Sequence, residues 1–340
     1  MIKVLVVDDS LFMRRTLKRM LEGERDVEVV GVAENGKVAL EKIEELSPDV
    51  VTLDIEMPVM DGIETLKEIM ARNPLPVIIV SALTKTGAEI TMEALSLGAC
   101  DFITKDFSNF SLGLEEKRGE LLSKIRQVAK KRTLFLLRAI RGGSSVSIEK
   151  RAIKHEIVSI GASTGGPSAI QFIVTSLPAD FPCPIVIAQH MPSLFTHAFS
   201  ERLRAVSAVH VKEAEDGENL RPGVVFIAPG GSHMRVVRKG GRDILQLFED
   251  ACSVYRPSVN HLMSSCAEVF GAATVGVILT GMGNDGLEGA RRIRSKGGLI
   301  LAQDEATSVV YGMPKAVVKE NLADLVLPVY EIPKALAGVL

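Results

Sequence analysis

Short apolar runs alternating with amphipathic stretches organise the first 105 residues of the chain. The runs Lys3–Val7, Val27–Ala33, Val50–Leu53, Pro76–Val80 and Asp101–Thr104 are rich in Val and Ile and have the length of buried strands. Between them, Met13–Leu21, Gly36–Leu46, Gly62–Met70 and Ala88–Leu97 carry apolar residues at helical spacing. Strands and helices in alternation predict a doubly wound parallel sheet, and five such units make a complete domain over residues 1–120. From Glu156 the alternation returns in Ile157–Ile160, Pro184–Ala188, Val209–Lys212, Val224–Ala228, Val275–Leu279 and Leu299–Ala302. A second α/β domain, doubly wound with a mostly parallel sheet, is therefore expected over residues 155–340.

The segment between them differs in composition. Residues 121–154 hold ten Lys or Arg against one acid, Glu149, and include Gly142-Gly143-Ser144-Ser145. Apolar residues at helical spacing (Leu121, Leu122, Ile125, Val128) predict a basic helix leading into a flexible joint, hence a linker. This division resolves the net charge of −2 into 14 basic and 23 acidic side chains over residues 1–120, and 16 and 18 over residues 155–340. A slightly acidic second domain argues against a nucleic-acid-binding output. No apolar run approaches the ~20 residues of a membrane span, so membrane insertion is not expected. Asp8 and Asp9 break the stretch Ile2–Val7 before any secretory-signal pattern develops. The expectation is a cytoplasmic protein, with Cys100, Cys183, Cys252 and Cys266 as reduced thiols.

In a parallel sheet wound this way the C-terminal strand ends share one edge, where ligands bind. Asp8 and Asp9 follow the first strand and Asp54 follows the third. Three carboxylates brought together there would repel one another without a hard cation, and an all-oxygen ligand set favours Mg²⁺. Ser81 and Lys105 follow the fourth and fifth strands. A hydroxyl and an ammonium facing a carboxylate suit a phosphoryl group carried on that carboxylate.

The stretches Val6-Val7-Asp8-Asp9-Ser10, Leu53-Asp54-Ile55-Glu56-Met57-Pro58-Val59-Met60-Asp61-Gly62, Ser81-Ala82 and Gly98-Ala99 with Lys105 resemble the receiver domain of two-component response regulators. The resemblance covers essentially all of residues 1–120. It implies a flavodoxin-like (βα)5 fold, with Asp54 phosphorylated by a histidine kinase and Mg²⁺ held by Asp8, Asp9 and Asp54. It also implies Ser81 and Lys105 as phosphate ligands and Phe102 as the aromatic switch. It departs at Asp106, where receivers usually carry a proline.

In the second domain, Gly161-Ala162-Ser163-Thr164-Gly165 fits G-x-S-x-G at a strand-to-helix turn, the arrangement that exposes a nucleophilic serine. His190 follows the strand Pro184–Ala188, and Asp285 lies in the loop Thr280-Gly281-Met282-Gly283-Asn284-Asp285-Gly286 after the strand Val275–Leu279. Ser163, His190 and Asp285 thus converge from three strand ends, as a hydrolytic triad requires. The loop around Met282 can also supply a backbone amide to an oxyanion. His233 remains a competing base and Asp304 a competing acid, while His197 and His261 sit in helix-like stretches.

Ile160–Pro167, Gln189-His190-Met191-Pro192, Ala228–Met234, Tyr255-Arg256-Pro257-Ser258-Val259, Leu279–Gly286 and Gln303-Asp304-Glu305-Ala306 resemble the catalytic domain of chemotaxis protein-glutamate methylesterases of the CheB type. Asn260 stands where an acid is common and is given no role. The resemblance implies Ser163 as nucleophile, His190 as base, Asp285 as orienting acid and the Met282 amide in the oxyanion hole, with no cofactor needed for ester hydrolysis. It further implies demethylation of glutamate γ-methyl esters on methyl-accepting chemoreceptors, deamidation of particular receptor glutamines, and control by a chemotaxis histidine kinase. An amidase or peptidase using the same triad, and a non-catalytic response regulator, are the readings it competes with.

Overall fold

A computed structural model describes residues 1–105, 112–129, 155–250 and 253–339, and the chain divides into two compact units, Met1–Arg141 and Gly142–Leu340. In the first unit, β1 (Ile2–Val7), β2 (Val27–Ala33), β3 (Val50–Asp54), β4 (Val77–Ser81) and β5 (Asp101–Thr104) form a parallel sheet in the order β2-β1-β3-β4-β5. The helices α1 (Leu11–Leu21), α2 (Gly36–Leu46), α3 (Gly62–Arg72) and α4 (Lys85–Leu97) connect successive strands. Every residue of β3 and β4 is buried, as expected for strands covered by helices on both faces. The strand order reverses at β1, so the C-terminal ends of β1 and β3 flank the switch point where such sheets bind ligands. Side chains of Ser10, Asn35, Asp61 and Thr84 accept an amide at the first turn of each helix. That cap makes α4 begin at Lys85, three residues earlier than its apolar spacing indicates.

α5 (Leu112–Val128) closes the unit. Leu121, Leu122, Ile125 and Val128 are all buried, so residues 121–128, placed by sequence in the linker segment, form the last turns of this helix. Arg126 pairs with Glu24 and Asp26 at 2.6 and 2.7 Å, which sets one charge of the basic segment against acids of the first unit. The Gly-Ser joint, Glu149, Asp106 and Cys252 lie outside the described residues. Cys100, Cys183 and Cys266 are all buried.

The second unit is built on a seven-stranded, wholly parallel sheet in the order β14-β13-β12-β6-β7-β9-β8. Its strands are β6 (Ile157–Ala162), β7 (Ile185–Gln189), β8 (His210–Glu213), β9 (Val224–Ile227), β12 (Thr274–Ile278), β13 (Leu299–Gln303) and β14 (Leu325–Leu327). The helices are α6 (Gly166–Thr175), α7 (Ser193–Val206), α8 (Val259–Phe270), α9 (Leu287–Ser295), α10 (Met313–Lys319) and α11 (Ile332–Val339). Beyond the short edge strand β14, the feature with no counterpart in the apolar pattern is the antiparallel hairpin of β10 (His233–Lys239) and β11 (Arg242–Phe248). Its buried residues are few (His233, Met234, Val236, Leu245), and its other apolar residues (Val237, Ile244, Leu247, Phe248) are half-buried and interspersed with polar ones, so it lacks the continuous run that marks the other strands. Met234, Val236 and Leu245 pack with Val259, Leu262 and Met263 of α8 in the main core. Among the described residues, no helix is long and apolar enough to cross a membrane.

Candidate functional site

At the switch point of the first unit, Asp8 and Asp54 are buried and Asp9 is exposed, and the three offer carboxylate oxygens within 4.8 Å of one another. Lys105 reaches in from the end of β5, with Nζ 2.6 Å from Asp54 Oδ2 and 2.9 Å from Asp8 Oδ2. The Ile55 amide donates to Asp54 Oδ1 at 2.8 Å, so one oxygen is pinned and the other faces the lysine. Burial, aided by repulsion from Asp8, pushes the Asp54 carboxyl up to about 6 against the pull of Lys105. Burial works against the Lys105 ammonium as well, but Asp54 and Asp8 hold its pKa above the ordinary value. One ammonium is thus asked to balance three acids, and an all-oxygen set short of positive charge is what a hard divalent cation fits. A cavity of about 260 Å³ opens over Asp54, lined also by Asp9, Glu56, Ser81 and Lys105.

Ser81 Oγ lies 2.8 Å from Thr91 Oγ1 and 3.2 Å from the Gly87 carbonyl, both in α4. Phe102 is buried, and its carbonyl accepts from Lys124 Nζ of α5 at 2.6 Å. The five residues that sequence places around a phosphoryl site therefore divide: Asp8, Asp9, Asp54 and Lys105 meet, while Ser81 lines the same cavity with its hydroxyl turned to α4.

In the second unit β12, β6 and β7 are neighbours, and Asp285, Ser163 and His190 follow their respective C-terminal ends. The Ser163 amide donates to Thr280 O at 3.0 Å and the His190 amide to Ala162 O at 3.1 Å, which carries the sheet's pairing into the loops. Gln189 Nε2 donates to both Ser163 O and His190 O, at 3.0 and 3.1 Å, tying the two backbones together. Beyond Ser163 the chain turns through Gly165, whose φ of +77° suits glycine, into the first turn of α6. Gly281 is required for a different reason. A Cβ there would stand 2.8 Å from Ser163 Cβ, so only glycine lets the 280–286 loop lie against the serine.

The imidazole of His190 is held on two sides. Its Nε2 is 2.8 Å from Asp285 Oδ2, and its ring stacks on Tyr255 with centroids 4.5 Å apart and planes 4° off parallel. Nδ1 is left as the nitrogen available to a reacting hydroxyl. Asp285 is buried and accepts from the amides of Val259 (2.7 Å), Asn260 (3.0 Å) and Gly286 (3.0 Å) and from Ser258 Oγ (3.1 Å). Burial alone would raise its pKa, but His190 and the Val259 and Asn260 amides outweigh it and hold the carboxyl below the ordinary range. The result is an acid that is ionised at neutral pH and aimed at one nitrogen of a histidine.

The competing candidates are placed elsewhere. His233 is fully buried, and its Nδ1 accepts from the Ser258 amide at 3.2 Å, so it cannot take a proton from a substrate-facing hydroxyl. Asp304 accepts from Thr307 N and Oγ1 at 2.9 and 2.6 Å and serves its own turn. His197 is exposed on α7 beside Glu213, and His261 lies on α8 against the His233 ring. Sequence gives no role to Tyr255, Ser258 or Asn260, yet all three hold the acid or the base. Asn260 Oδ1 accepts from the Gly286 and Gly289 amides at 2.9 and 3.0 Å, fastening the loop that carries Asp285 to α8. The one legible signal was Ser258 ahead of the apolar spacing Val259, Leu262, Met263, Cys266, which marks a helix N-cap.

Residues 158–336 match the family described as CheB methylesterase, and residues 4–113 match the response regulator receiver domain. A protein-glutamate methylesterase/protein-glutamine glutaminase of Thermotoga maritima is 48% identical over 338 residues, covering 98% of this chain and 97% of that relative. A protein of the same description from Lawsonia intracellularis is 46% identical over 356 residues, covering 100% and 99%. The crystal structure of the Thermotoga maritima CheB methylesterase catalytic domain superposes with a TM-score of 0.53 at 45% identity, over 54% of this chain and 98% of that one.

Proposed function

Because this chain belongs to the CheB methylesterase family and carries a response regulator receiver domain, it is a protein-glutamate methylesterase and protein-glutamine glutaminase, and we propose that Ser163, His190 and Asp285 are its catalytic residues. The observation that carries this assignment is the 2.8 Å bond from His190 Nε2 to an Asp285 carboxylate that four further donors surround.

The reaction follows from that geometry. With Asp285 accepting the Nε2 proton, His190 Nδ1 is the bare nitrogen and takes the proton of Ser163 as Oγ attacks the side-chain carbonyl. A new Oγ–C bond forms and the carbonyl π electrons move to oxygen. Asp285 stabilises the imidazolium, and the Met282 amide, in the loop that Gly281 lets approach, donates to the oxyanion. Collapse breaks the bond to methoxide, which leaves as methanol with the proton from His190; from a glutamine, ammonia leaves instead. Water then gives a proton to His190, attacks the acyl-enzyme and frees a glutamate and Ser163. Ester and amide pass through the same kind of tetrahedral intermediate, so one site serves both.

The substrates are the methylated side chains of chemoreceptors, and the phosphodonor is a chemotaxis histidine kinase. Asp54 accepts the phosphoryl group as its oxygen bonds phosphorus and the donor N–P bond breaks. Asp8, Asp9 and Asp54 would hold a Mg²⁺ ion, which would supply the positive charge that this transfer needs. Lys105 and Ser81 then bind phosphoryl oxygens, and Phe102 responds as the switch. Phosphorylation raises the esterase rate, and the protein works in the cytoplasm.

A fluorophosphonate probe separates this reading from a non-catalytic regulator. It is expected to label the full-length protein at Ser163 alone; a folded protein that stays unlabelled contradicts an activated serine.

A further inference from the structure

The geometry points to a second histidine in the service of the site: we propose that His233 is a positioning residue, a neutral acceptor that fixes the turn from which Ser258, Val259 and Asn260 surround Asp285. The proposal rests on the assignment of Asp285 as the orienting acid.

Three consecutive residues open α8, and all of them face the carboxylate. Ser258 Oγ, Val259 N and Asn260 N donate to Asp285 at 3.1, 2.7 and 3.0 Å. The Ser258 amide points the other way, into the core, and donates to His233 Nδ1 at 3.2 Å. Ser258 is the N-cap of α8, so the orientation of its peptide sets where its hydroxyl and the next amide point. His233 therefore acts on Asp285 through a single residue, from the opposite side.

The ring that does this is held by its surroundings. His233 is the first residue of β10, fully buried, with Phe248 of β11 at 5.2 Å and His261 of α8 at 4.9 Å between centroids. A second bond, from Val236 N to Ser265 Oγ at 2.9 Å, fastens the same strand to the same helix two turns on. Only an unprotonated Nδ1 can accept the Ser258 amide, so the ring must be neutral with its proton on Nε2. The charged and titratable groups around it are His261 on α8, Asp250 after β11 and Arg256 before α8. Burial, then repulsion from His261, lowers the His233 pKa and keeps the acceptor available. The hairpin that the apolar pattern does not reveal thus carries the acceptor that anchors the catalytic turn.

The test uses the full-length protein and three substitutions. H233N places an amide oxygen near the position of Nδ1. H233Q keeps the amide but moves the acceptor toward the place of Nε2, and H233L removes it. Methanol release from methylated receptor membranes gives kcat and KM, and the rate of fluorophosphonate labelling reports the reactivity of Ser163 without receptor.

H233L and H233Q are expected to lower kcat and the labelling rate together by about 10²-fold, because a misplacement near 1 Å costs that much, with KM within about twofold. H233N is expected to recover most of the loss. Wild-type kcat in H233L or H233Q overturns the proposal. So does H233N as impaired as H233Q in proteins of equal melting temperature, a comparison that holds even where H233L does not fold. D285N is run alongside: if it is fully active the triad itself fails, whereas an impaired D285N with a flat His233 series removes this proposal alone.

Discussion

Replacing Ser163 by alanine is expected to lower kcat for methanol release by about 10⁶-fold, the loss seen when a hydrolytic serine is removed from an otherwise intact triad. Oγ is the only atom deleted, and it is the atom that bonds the substrate. The contacts that shape the turn are made by the backbone: Ser163 N to Thr280 O, Gly166 N to Ser163 O at 2.7 Å, and Gln189 Nε2 to Ser163 O. Alanine keeps all of them, and its Cβ still meets Gly281. Melting temperature and KM should therefore stay at their wild-type values, and the remaining rate is what the oxyanion donors and binding provide by themselves. A rate within tenfold of wild type, measured as methanol release, would show that another group is the nucleophile.

Asp285→Asn is expected to cost about 10⁴-fold, for a reason of tautomers rather than of charge alone. The Asp285 carboxylate accepts from Ser258 Oγ, from the amides of Val259, Asn260 and Gly286, and from His190. An amide has one accepting oxygen for these five donors, and its NH₂ must turn toward one of the two sets. Turned to the donors of Oδ1 (Ser258 Oγ and the Asn260 and Gly286 amides), it breaks the cradle; the other side, Oδ2, faces both His190 and the Val259 amide. Turned to His190, it makes Nε2 an acceptor and drives the ring proton onto Nδ1, the nitrogen that must be bare to take the serine proton. Both outcomes disable the base while the nucleophile stays in place. The depressed pKa of Asp285 adds a sign: the carboxylate stays ionised down to pH values below the ordinary range, so the acid limb of the wild-type pH profile does not come from this group. Comparison of kcat for D285N and wild type at neutral pH checks the prediction, and a loss under tenfold contradicts it.

The residues proposed to do the chemistry were legible because each needs a reactive side chain at the C-terminal edge of a sheet, and that edge shows as polar residues beyond apolar runs. Asp8, Asp54, Lys105, Ser163 and His190 stand at or directly after a strand end, and Asp285 lies in the loop that follows β12. Their supports were not legible, and the reason is physical. Tyr255 acts by stacking, Ser258 and Asn260 act partly through main-chain amides, and an amide leaves no mark on residue type. Asn260 is the sharpest case: a departure from the usual acid, it still presents an oxygen to Gly286 and Gly289. The two candidate histidines could not be ranked by burial in advance, since both follow apolar strands. Only the hairpin, with three apolar residues turned inward, places His233 behind Asp285 instead of in front of the serine. At the end of the first domain, Leu121, Leu122, Ile125 and Val128 were legible as one face of a helix; that this face is buried in α5 was not, because Lys124 and Arg126 give the stretch the basic character of the segment that follows.

Methanol release from methylated receptor membranes, with and without an acyl-phosphate donor and Mg²⁺, tests nucleophile and phosphorylation control together in wild type, D54N and S163A. Release by wild type is expected to rise on addition of the donor, release by D54N to be unchanged by it, and S163A to release none under either condition. Donor stimulation that persists in D54N, or release that persists in S163A, would contradict a phosphorylation-controlled serine esterase.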